Sequence, residues 1–274
     1  MMTTEALIGP VGPPGLHLMT YNIRRRLPTA GHRSPDGWPR RRELLRRLVA
    51  AEAPAVLCLQ EALPDQVDWV LACLGPGHRP VGRGRRAGGG GEGTPVLYDD
   101  HRLRLTDWCQ QALSDTPDLP GSRGWGALIP RIVVRATFRD LATGARFRVL
   151  NTHLDALSAR ARLQSARMLR RLVEADPVPT VLAGDANAVP RSRPYRELTA
   201  GGLLRDAWTA ADRRVTKEWG TFSGYGPPRR GRRIDWLMVG PGIDVRTVGI
   251  NAARYDGAAP SDHEPVQAVL EIAR

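Results

Sequence analysis

The feature that most constrains the fold is a short apolar run ending in two polar side chains, Val181-Leu182-Ala183-Gly184-Asp185-Ala186-Asn187. The apolar residues predict a buried strand, and Gly184 allows the chain to turn at its end. Asp185 and Asn187 are two positions apart and should therefore point to the same side. A carboxylate beside a carboxamide suits a water molecule next to a phosphate oxygen, although Gly-Asp-x-Asn alone is also an ordinary turn sequence.

Other polar residues occupy the same kind of position, at or beside the end of a predicted strand: Asn22, Glu61, His153, Asp235, Asp262 and His263. Strand ends on one edge of a sheet can meet in space although they are distant in sequence. Taken singly, each has an ordinary explanation, such as Glu61 near the start of the next helix. Core packing does not explain the whole set, because buried acids need partners. The pattern therefore predicts one polar site at a sheet edge.

Hydrophobic periodicity predicts strands that alternate with helices in the first half of the chain and hairpins that dominate the second half. Apolar spacing predicts helices over 38–52, 63–74, 156–174 and 195–204. Alternation or short buried runs predict strands over 16–23, 55–59, 94–98, 103–108, 131–139, 145–151, 181–185, 234–239 and 266–272. We interpret residues 1–14 as a flexible Pro/Gly-rich leader and 15–274 as a single mixed α/β domain.

Composition describes an ordinary globular protein, with 42% hydrophobic and 25% charged residues. No apolar run approaches the length of a membrane span, and residues 1–14 lack a signal-peptide pattern, so a cytoplasmic location is expected. The net charge of +12 favours an anionic partner. Lys217 is the only lysine, which also fits GC-rich codon usage.

Six stretches carry a resemblance to a known family: Met19-Thr20-Tyr21-Asn22-Ile23, Leu59-Gln60-Glu61, Asn151-Thr152-His153-Leu154-Asp155, Gly184-Asp185-Ala186-Asn187, Arg233-Ile234-Asp235-Trp236 and Ser261-Asp262-His263. In this order they resemble the endonuclease/exonuclease/phosphatase superfamily, which includes the DNase I-like nucleases. The resemblance implies a four-layer αββα sandwich of mixed, mostly antiparallel sheets, with the site at the edge between them. The region 114–126 is similar to a bacterial branch of metal-dependent hydrolases, which more commonly has Glu where Asp115 stands.

The resemblance also implies a cofactor. Glu61 would be the main ligand for Mg²⁺ or Mn²⁺, with Asn22 and Asp262 close by. Hard oxygen ligands with several retained waters suit Mg²⁺.

The same resemblance implies the catalytic roles. Asp185 would orient or deprotonate the attacking water, and Asn187 would hold that water or a phosphate oxygen. His263, paired with Asp235, would contact the scissile phosphate, and His153 would donate to a phosphate oxygen. The family positions near the phosphate or leaving group correspond to three further substrate-binding residues: Tyr98, Trp125 and Arg131.

The sequence therefore predicts a divalent-metal-dependent phosphoesterase that hydrolyses a phosphomonoester or phosphodiester. A small phosphorylated metabolite is slightly favoured because aromatic residues, which stack on bases, make up only 5%. The alternative is a nuclease for DNA or RNA, suggested by the charge and by arginines at 83–86 and 229–233. A second alternative is a scaffold recruited to non-phosphate chemistry in a biosynthetic pathway. The loops 82–93 and 117–125 are expected to form the rim that selects the substrate, and no partner protein is implied.

Overall fold

Strands alternate with helices at the start of the chain, runs of consecutive strands follow, and together they form two sheets covered by helices. The computed structural model describes residues 6–28, 31 and 34–273. The described strands are β1 (Leu16–Asn22), β2 (Val56–Gln60), β3 (His78–Val81), β4 (Val96–Asp99), β5 (Leu103–Ala112), β6 (Ile132–Asp140), β7 (Arg146–His153), β8 (Thr180–Asp185), β9 (Arg205–Asp206), β10 (Arg213–Arg214), β11 (Asp235–Val239), β12 (Ile243–Ile250) and β13 (Val266–Ile272). The described helices are α1 (Trp38–Glu52), α2 (Pro64–Leu74), α3 (Ala159–Glu174), α4 (Arg193–Thr199) and α5 (Ala207–Ala210).

The two sheets pack face to face. Their strand orders are β10-β12-β13-β1-β2-β4-β3 and β5-β6-β7-β8-β11-β9. Neighbouring strands are parallel in the pairs β1–β2, β7–β8 and β10–β12 and antiparallel in the others. Apolar side chains from both inner faces form one core, in which Val56 and Cys58 pack with Val149 and Val181.

Helices cover both outer faces. Residues of α1 and α2 pack on the first sheet through a separate apolar cluster that includes Leu45, Val70 and Tyr21. Residues of α3 and α4 pack on the second sheet through a third cluster that includes Leu169 and Leu198. The four layers are therefore helices, sheet, sheet and helices, which confirms the predicted αββα sandwich.

Four strands were not expected from the sequence, and two of them, β9 and β10, are only two residues long. Strand β3 is a short edge strand whose Arg79 and Pro80 are exposed, so it lacks the buried alternation that predicts a strand. Strand β12 is interrupted by a register shift between Val245 and Thr247, which breaks the alternation that reveals a strand. The helix expected over 195–204 begins earlier, as α4, and ends in a 3-10 turn at Ala200–Gly202.

The proposed leader falls partly on residues 1–5, which lie outside the described residues. After them, the backbone N–H groups of Leu7, Ile8 and Gly9 donate to the carboxylate of Glu52 at the end of α1. The leader limits, and a single domain over 15–274, stay predictions.

A buried amide links the two sheets beneath the polar edge. The Nδ2 of Asn151, on β7, donates to the backbone oxygens of Leu59, Thr94 and Pro95 at 2.9–3.0 Å. Its Oδ1 accepts from Nε2 of Gln60, on β2, at 2.8 Å. Both side chains are fully buried, so these bonds fix the spacing between β2 and β7.

Candidate active site

Strand register brings the predicted polar residues to one edge of the sandwich. On the second sheet, His153 pairs with Asp185 across β7 and β8, and Asp235 pairs with Asp185 across β8 and β11. On the first sheet, Asn22 ends β1 beside the end of β2, where Glu61 follows. These ends face each other, so groups far apart in sequence share one cleft.

Gly184 is required at this edge. Its φ is +143°, and a Cβ there would overlap the backbone carbonyl of Thr152 on β7. Only glycine allows β8 to approach β7 closely enough to place Asp185 beside His153.

The amide of Asn22 joins the two sheets at the site. Its Nδ2 donates to Asp185 Oδ2 at 3.0 Å and to Glu61 Oε1 at 3.2 Å. The Nε2 of His263 lies 3.4 Å from the same nitrogen. Asn22 therefore fixes a carboxylate of each sheet relative to the other.

His263 forms a charge-assisted pair with Asp235. Its Nδ1 donates to Asp235 Oδ2 at 2.9 Å, and its Nε2 faces Asp185 Oδ2 at 3.7 Å. Burial disfavours the imidazolium, but the charge and hydrogen bond of Asp235, with the charge of Asp185, raise the pKa of His263 to about 10. The Phe222 ring lies edge-on to the imidazole, with centroids 5.0 Å apart. His263 is therefore a fixed cation whose Nε2 points to the centre of the site.

Asp185 has the properties of a base that works near neutral pH. Burial, and then the charge of Asp235, raise its pKa to about 7, while the charge of His263 acts in the opposite direction. The backbone N–H of Asn187 donates to its Oδ1 at 2.8 Å. The Asn187 side chain donates to the backbone oxygen of Leu154 and lines the cleft.

His153 lies on the other side of Asp185. Its Nε2 is 3.5 Å from Asp185 Oδ2, and the side chain is buried. Burial, together with the positive charges of Arg131, His263 and Arg85, lowers the pKa of His153 well below its usual value. His153 is thus a neutral imidazole in this structure.

Two carboxylates on the first-sheet side face the same point. Arg24 Nη1 lies 3.8 Å from Glu61 Oε2, and its Nε lies 3.8 Å from Asp262 Oδ2. Burial raises the pKa of Asp262. The charge of His263 opposes this shift, and the charge of Glu61 adds to it. Arg24 is held by Asp36 at 3.1 Å, so neither Glu61 nor Asp262 is neutralised by a close ion pair.

The described residues offer two groups of possible metal ligands. Carboxylate and imidazole atoms of Asp185, Asp235 and His263 lie within 4.8 Å of one another. In that group the proton-bearing Nδ1 of His263 is already bonded to Asp235, so an ion there would have to displace this bond. The carboxylates of Glu61 and Asp262 form the second group. Among the described residues, the cation nearest to both is Arg24, at 3.8 Å. Carboxylate oxygens of this kind suit a hard divalent ion.

Three residues of the site have left-handed backbone conformations. The φ angles of Arg24, Glu61 and Asn187 are +54°, +58° and +48°. Such conformations are unfavourable for side chains with a Cβ and concentrate at functional positions.

The polar groups line a cleft of about 540 Å³. Several residues of its wall were not predicted from the sequence: Arg24, Arg25, Ile129, Arg162, Phe222 and Ile234. Arg85 and Glu92 come from the loop 82–93, which was expected at the rim, and they form an ion pair at 2.8 Å. In the loop 229–233, Arg232 faces the cleft, but Arg233 is buried against Asp206 at 2.6 Å.

The structure brings Arg131 to the cleft but not the other two residues predicted to bind substrate. Tyr98 pairs with Val56 at the far end of β2 and packs in the inter-sheet core, with its ring 5.0 Å from that of Phe138. Trp125 packs against the outer core, and its indole N–H donates to Asp115 at 2.8 Å. Tyr98 and Trp125 are therefore left out of the site proposed below, and the loop 117–125 does not line the cleft.

The four-layer sandwich and its polar strand ends define a class of protein. The chain belongs to the Endonuclease/Exonuclease/phosphatase family, whose sequence model matches residues 19–263. This match confirms the resemblance seen in the sequence, and members of the family act on phosphate esters.

Individual relatives support the same assignment. An endonuclease/exonuclease/phosphatase family protein from Bacteroides thetaiotaomicron is 29% identical with a TM-score of 0.87, covering 95% of this chain and 98% of that chain. A mannosyl-6-phosphatase from the same organism is 28% identical with a TM-score of 0.84, covering 93% and 99%. Nocturnin of Drosophila melanogaster is 26% identical over 196 residues, which are 66% of this chain and 29% of Nocturnin. The matched region therefore spans less than a third of Nocturnin.

Proposed function

We propose that this protein is a divalent-metal-dependent phosphoesterase that hydrolyses a phosphate ester of a small metabolite by in-line attack of water. One observation carries the proposal: Glu61 and Asp262 converge, across the Asn22 amide, on Asp185 and the His263–Asp235 pair. Oxygen ligands, a base and a cationic donor thus surround one cleft.

Glu61, Asn22 and Asp262 would hold Mg²⁺ or Mn²⁺. Both carboxylates are mostly buried, and within the described part of the chain the closest cation to them is the Arg24 guanidinium at 3.8 Å. A divalent ion held there supplies positive charge next to the phosphate oxygens.

The remaining groups act on the water and the phosphate. Asp185 accepts a proton from the attacking water, a role that a carboxyl with a pKa of about 7 performs near neutral pH. Asn187 holds that water or a phosphate oxygen. His263 donates from Nε2 to the negative charge that develops on the phosphate, while Asp235 fixes its tautomer. His153 and Arg131 contact the phosphate from the opposite wall.

The choice of a small phosphate ester rests on the shape and relatives of the site. The cleft is the size of a small-molecule pocket. The mannosyl-6-phosphatase, by its name, acts on a sugar phosphate and resembles this chain over nearly its whole length. The arginines of the cleft fit a negatively charged substrate of either size, so a nuclease remains the alternative.

The first experiment measures hydrolysis of p-nitrophenyl phosphate, bis-p-nitrophenyl phosphate and plasmid DNA with Mg²⁺, Mn²⁺ or EDTA. We expect turnover that EDTA abolishes and that Glu61→Gln reduces by about 10³-fold, because the variant keeps the shape but loses the charge. Calorimetric titration with Mn²⁺ should show binding to the wild type and weaker binding to Glu61→Gln.

Glu43→Gln is the matched control, since Glu43 is an exposed glutamate on α1. Turnover that persists in EDTA, or Glu61→Gln activity equal to that of Glu43→Gln, contradicts the proposed metal role. Preference for plasmid DNA with a steep loss at high salt favours the nuclease. Metal binding without hydrolysis of any ester favours the recruited scaffold.

A further inference from the structure

A second cavity opens directly beside the catalytic cleft. It has a volume of about 490 Å³ and lies between the start of α3 and the segment that leads into α4. Arg162, Asn187 and Arg232 line both cavities, so the two adjoin each other. A substrate whose phosphate lies at Asp185 can therefore extend into this space.

The floor of the second cavity is apolar. It is formed by Ala159, Leu163, Ala188, Val189 and Pro194. Val189 is 36% exposed, as are Ile129 at 42% and Phe222 at 52% in the adjoining cleft. Large apolar side chains exposed at a cavity mouth commonly mark a ligand contact.

The rim of the same cavity is cationic. Arg160, Arg193 and Arg232 extend around it, and no carboxylate lines it among the residues that the structure describes. These three arginines also have no ion pair or side-chain hydrogen bond to any described residue, unlike Arg24, Arg131 and Arg233. Their charge is therefore available to a ligand.

Arg162 fixes the wall between the two cavities. Its Nη1 donates to the backbone oxygens of Asp155 and Ala156 at 2.7 and 3.0 Å. The position of this guanidinium is thus set by the turn before α3 and not by a ligand. The boundary between the two cavities is therefore part of the fold.

We propose that this cavity is a leaving-group subsite, which accepts an aromatic or compact apolar group that carries a second negative charge. The inference rests on the proposed function, since it places the scissile phosphate in the cleft. An apolar floor binds the ring, and the free guanidinium groups bind the second anion. The substrate class is then a phosphate ester whose alcohol portion is an aromatic anion.

The test compares adenosine 3′,5′-bisphosphate, which has both features, with glycerol 2-phosphate, which has neither. Ala159→Trp fills the cavity from an exposed position, and an Arg160→Gln/Arg193→Gln variant removes charge from its rim. The measured quantity is the ratio of kcat/KM for the bisphosphate to kcat/KM for glycerol 2-phosphate. In each variant this ratio should fall about tenfold. Arg171→Gln, an exposed arginine at the end of α3, is the control and should leave the ratio unchanged.

A binding assay separates this inference from the proposed function. The probe is 8-anilino-1-naphthalenesulfonate, an aromatic anion whose fluorescence can be titrated in EDTA without any turnover. We expect binding that Ala159→Trp and the double arginine variant weaken about tenfold relative to Arg171→Gln. If the wild type hydrolyses neither these two esters nor the p-nitrophenyl esters and plasmid DNA, the proposed function fails, and this titration still tests the subsite. Unchanged dye binding in both variants overturns the subsite, and a loss in Ala159→Trp alone overturns its anionic part.

Discussion

Asp185 lies between two buried histidines with opposite electrostatic surroundings. On one side, His263 donates to Asp235, and the pKa of the imidazole is raised to about 10. On the other side, no described carboxylate forms with His153 a bond as short as that of Asp235, and burial with the charge of Arg131 lowers the pKa of His153. Both rings are 3.5–3.7 Å from the same oxygen of Asp185. The state of each histidine is therefore set by its second neighbour, Asp235 or Arg131.

The largest effects are expected when the two histidines are replaced one at a time. His263→Gln removes the cationic donor and should lower kcat by about 10³-fold, within the range of such groups. His153→Gln removes a neutral imidazole and should lower it by about 10²-fold. The measurement is steady-state hydrolysis of p-nitrophenyl phosphate, with thermal unfolding as the control for folding. Equal losses would contradict the division of roles.

Asp235→Asn tests what holds His263 in its charged state. The variant keeps the shape but loses the charge, so the pKa of His263 should fall and kcat should drop by about 10²-fold. Histidine titration by NMR in metal-free protein should show His263 deprotonating well below pH 10.

The same pair predicts a pH dependence of stability. Because folding raises the pKa of His263, its contribution is complete below the unfolded value of 6.5 and is lost as pH rises towards about 10. The difference in unfolding free energy between wild type and Asp235→Asn should shrink over that interval. A constant difference from pH 6 to 10 would show that His263 is not the group responsible.

Asn151→Ala tests the spacing between the two sheets, on which the comparison of the two histidines depends. The substitution removes the buried Asn151 donor from the carbonyls of Leu59, Thr94 and Pro95, of which Pro95 still accepts from the backbone N–H of Leu59. Urea denaturation should show a loss of about 2–3 kcal/mol in unfolding free energy. Thr143→Ala, at the exposed turn between β6 and β7, is the control. A similar loss in both variants would argue against an inter-sheet role for Asn151.

The smallest effect is expected at Arg131. Arg131→Gln removes the charge beside His153, so the pKa of that histidine should rise, and kcat/KM should fall about tenfold through the weaker phosphate contact. NMR titration of His153 and steady-state kinetics measure the two effects. An unchanged His153 titration would assign its low pKa to burial and the charges of His263 and Arg85, without Arg131.

Most residues of the candidate site could be predicted from the sequence because they lie at or beside strand ends. A strand pattern with a period of two, followed by a polar residue, predicts the positions of Asn22, Glu61, Asp185 and His263. The αββα layers followed from the resemblance, which the family match confirms. Residues placed by strand register were thus accessible before the structure.

The residues that were missed or misplaced depend on three-dimensional packing. Tyr98 ends the strand predicted over 94–98, but in β4 it pairs with Val56 and therefore lies towards the opposite end of the sheet. Arg232 and Arg233 are adjacent in one arginine-rich loop, yet one faces the cleft and the other is buried with Asp206. No local pattern distinguishes them, because the difference arises from a distant carboxylate, Asp206, which among the described residues pairs with Arg233 and not with Arg232.

The left-handed backbone at Arg24, Glu61 and Asn187 has a consequence for how this protein can be engineered or can evolve. Each conformation costs about 1 kcal/mol or more, and glycine would relieve that cost. Selection for thermal tolerance alone should therefore enrich glycine at these three positions. The same substitutions remove a carboxylate, a guanidinium or an amide from the cleft, so heat resistance gained in this way comes with an inactive site.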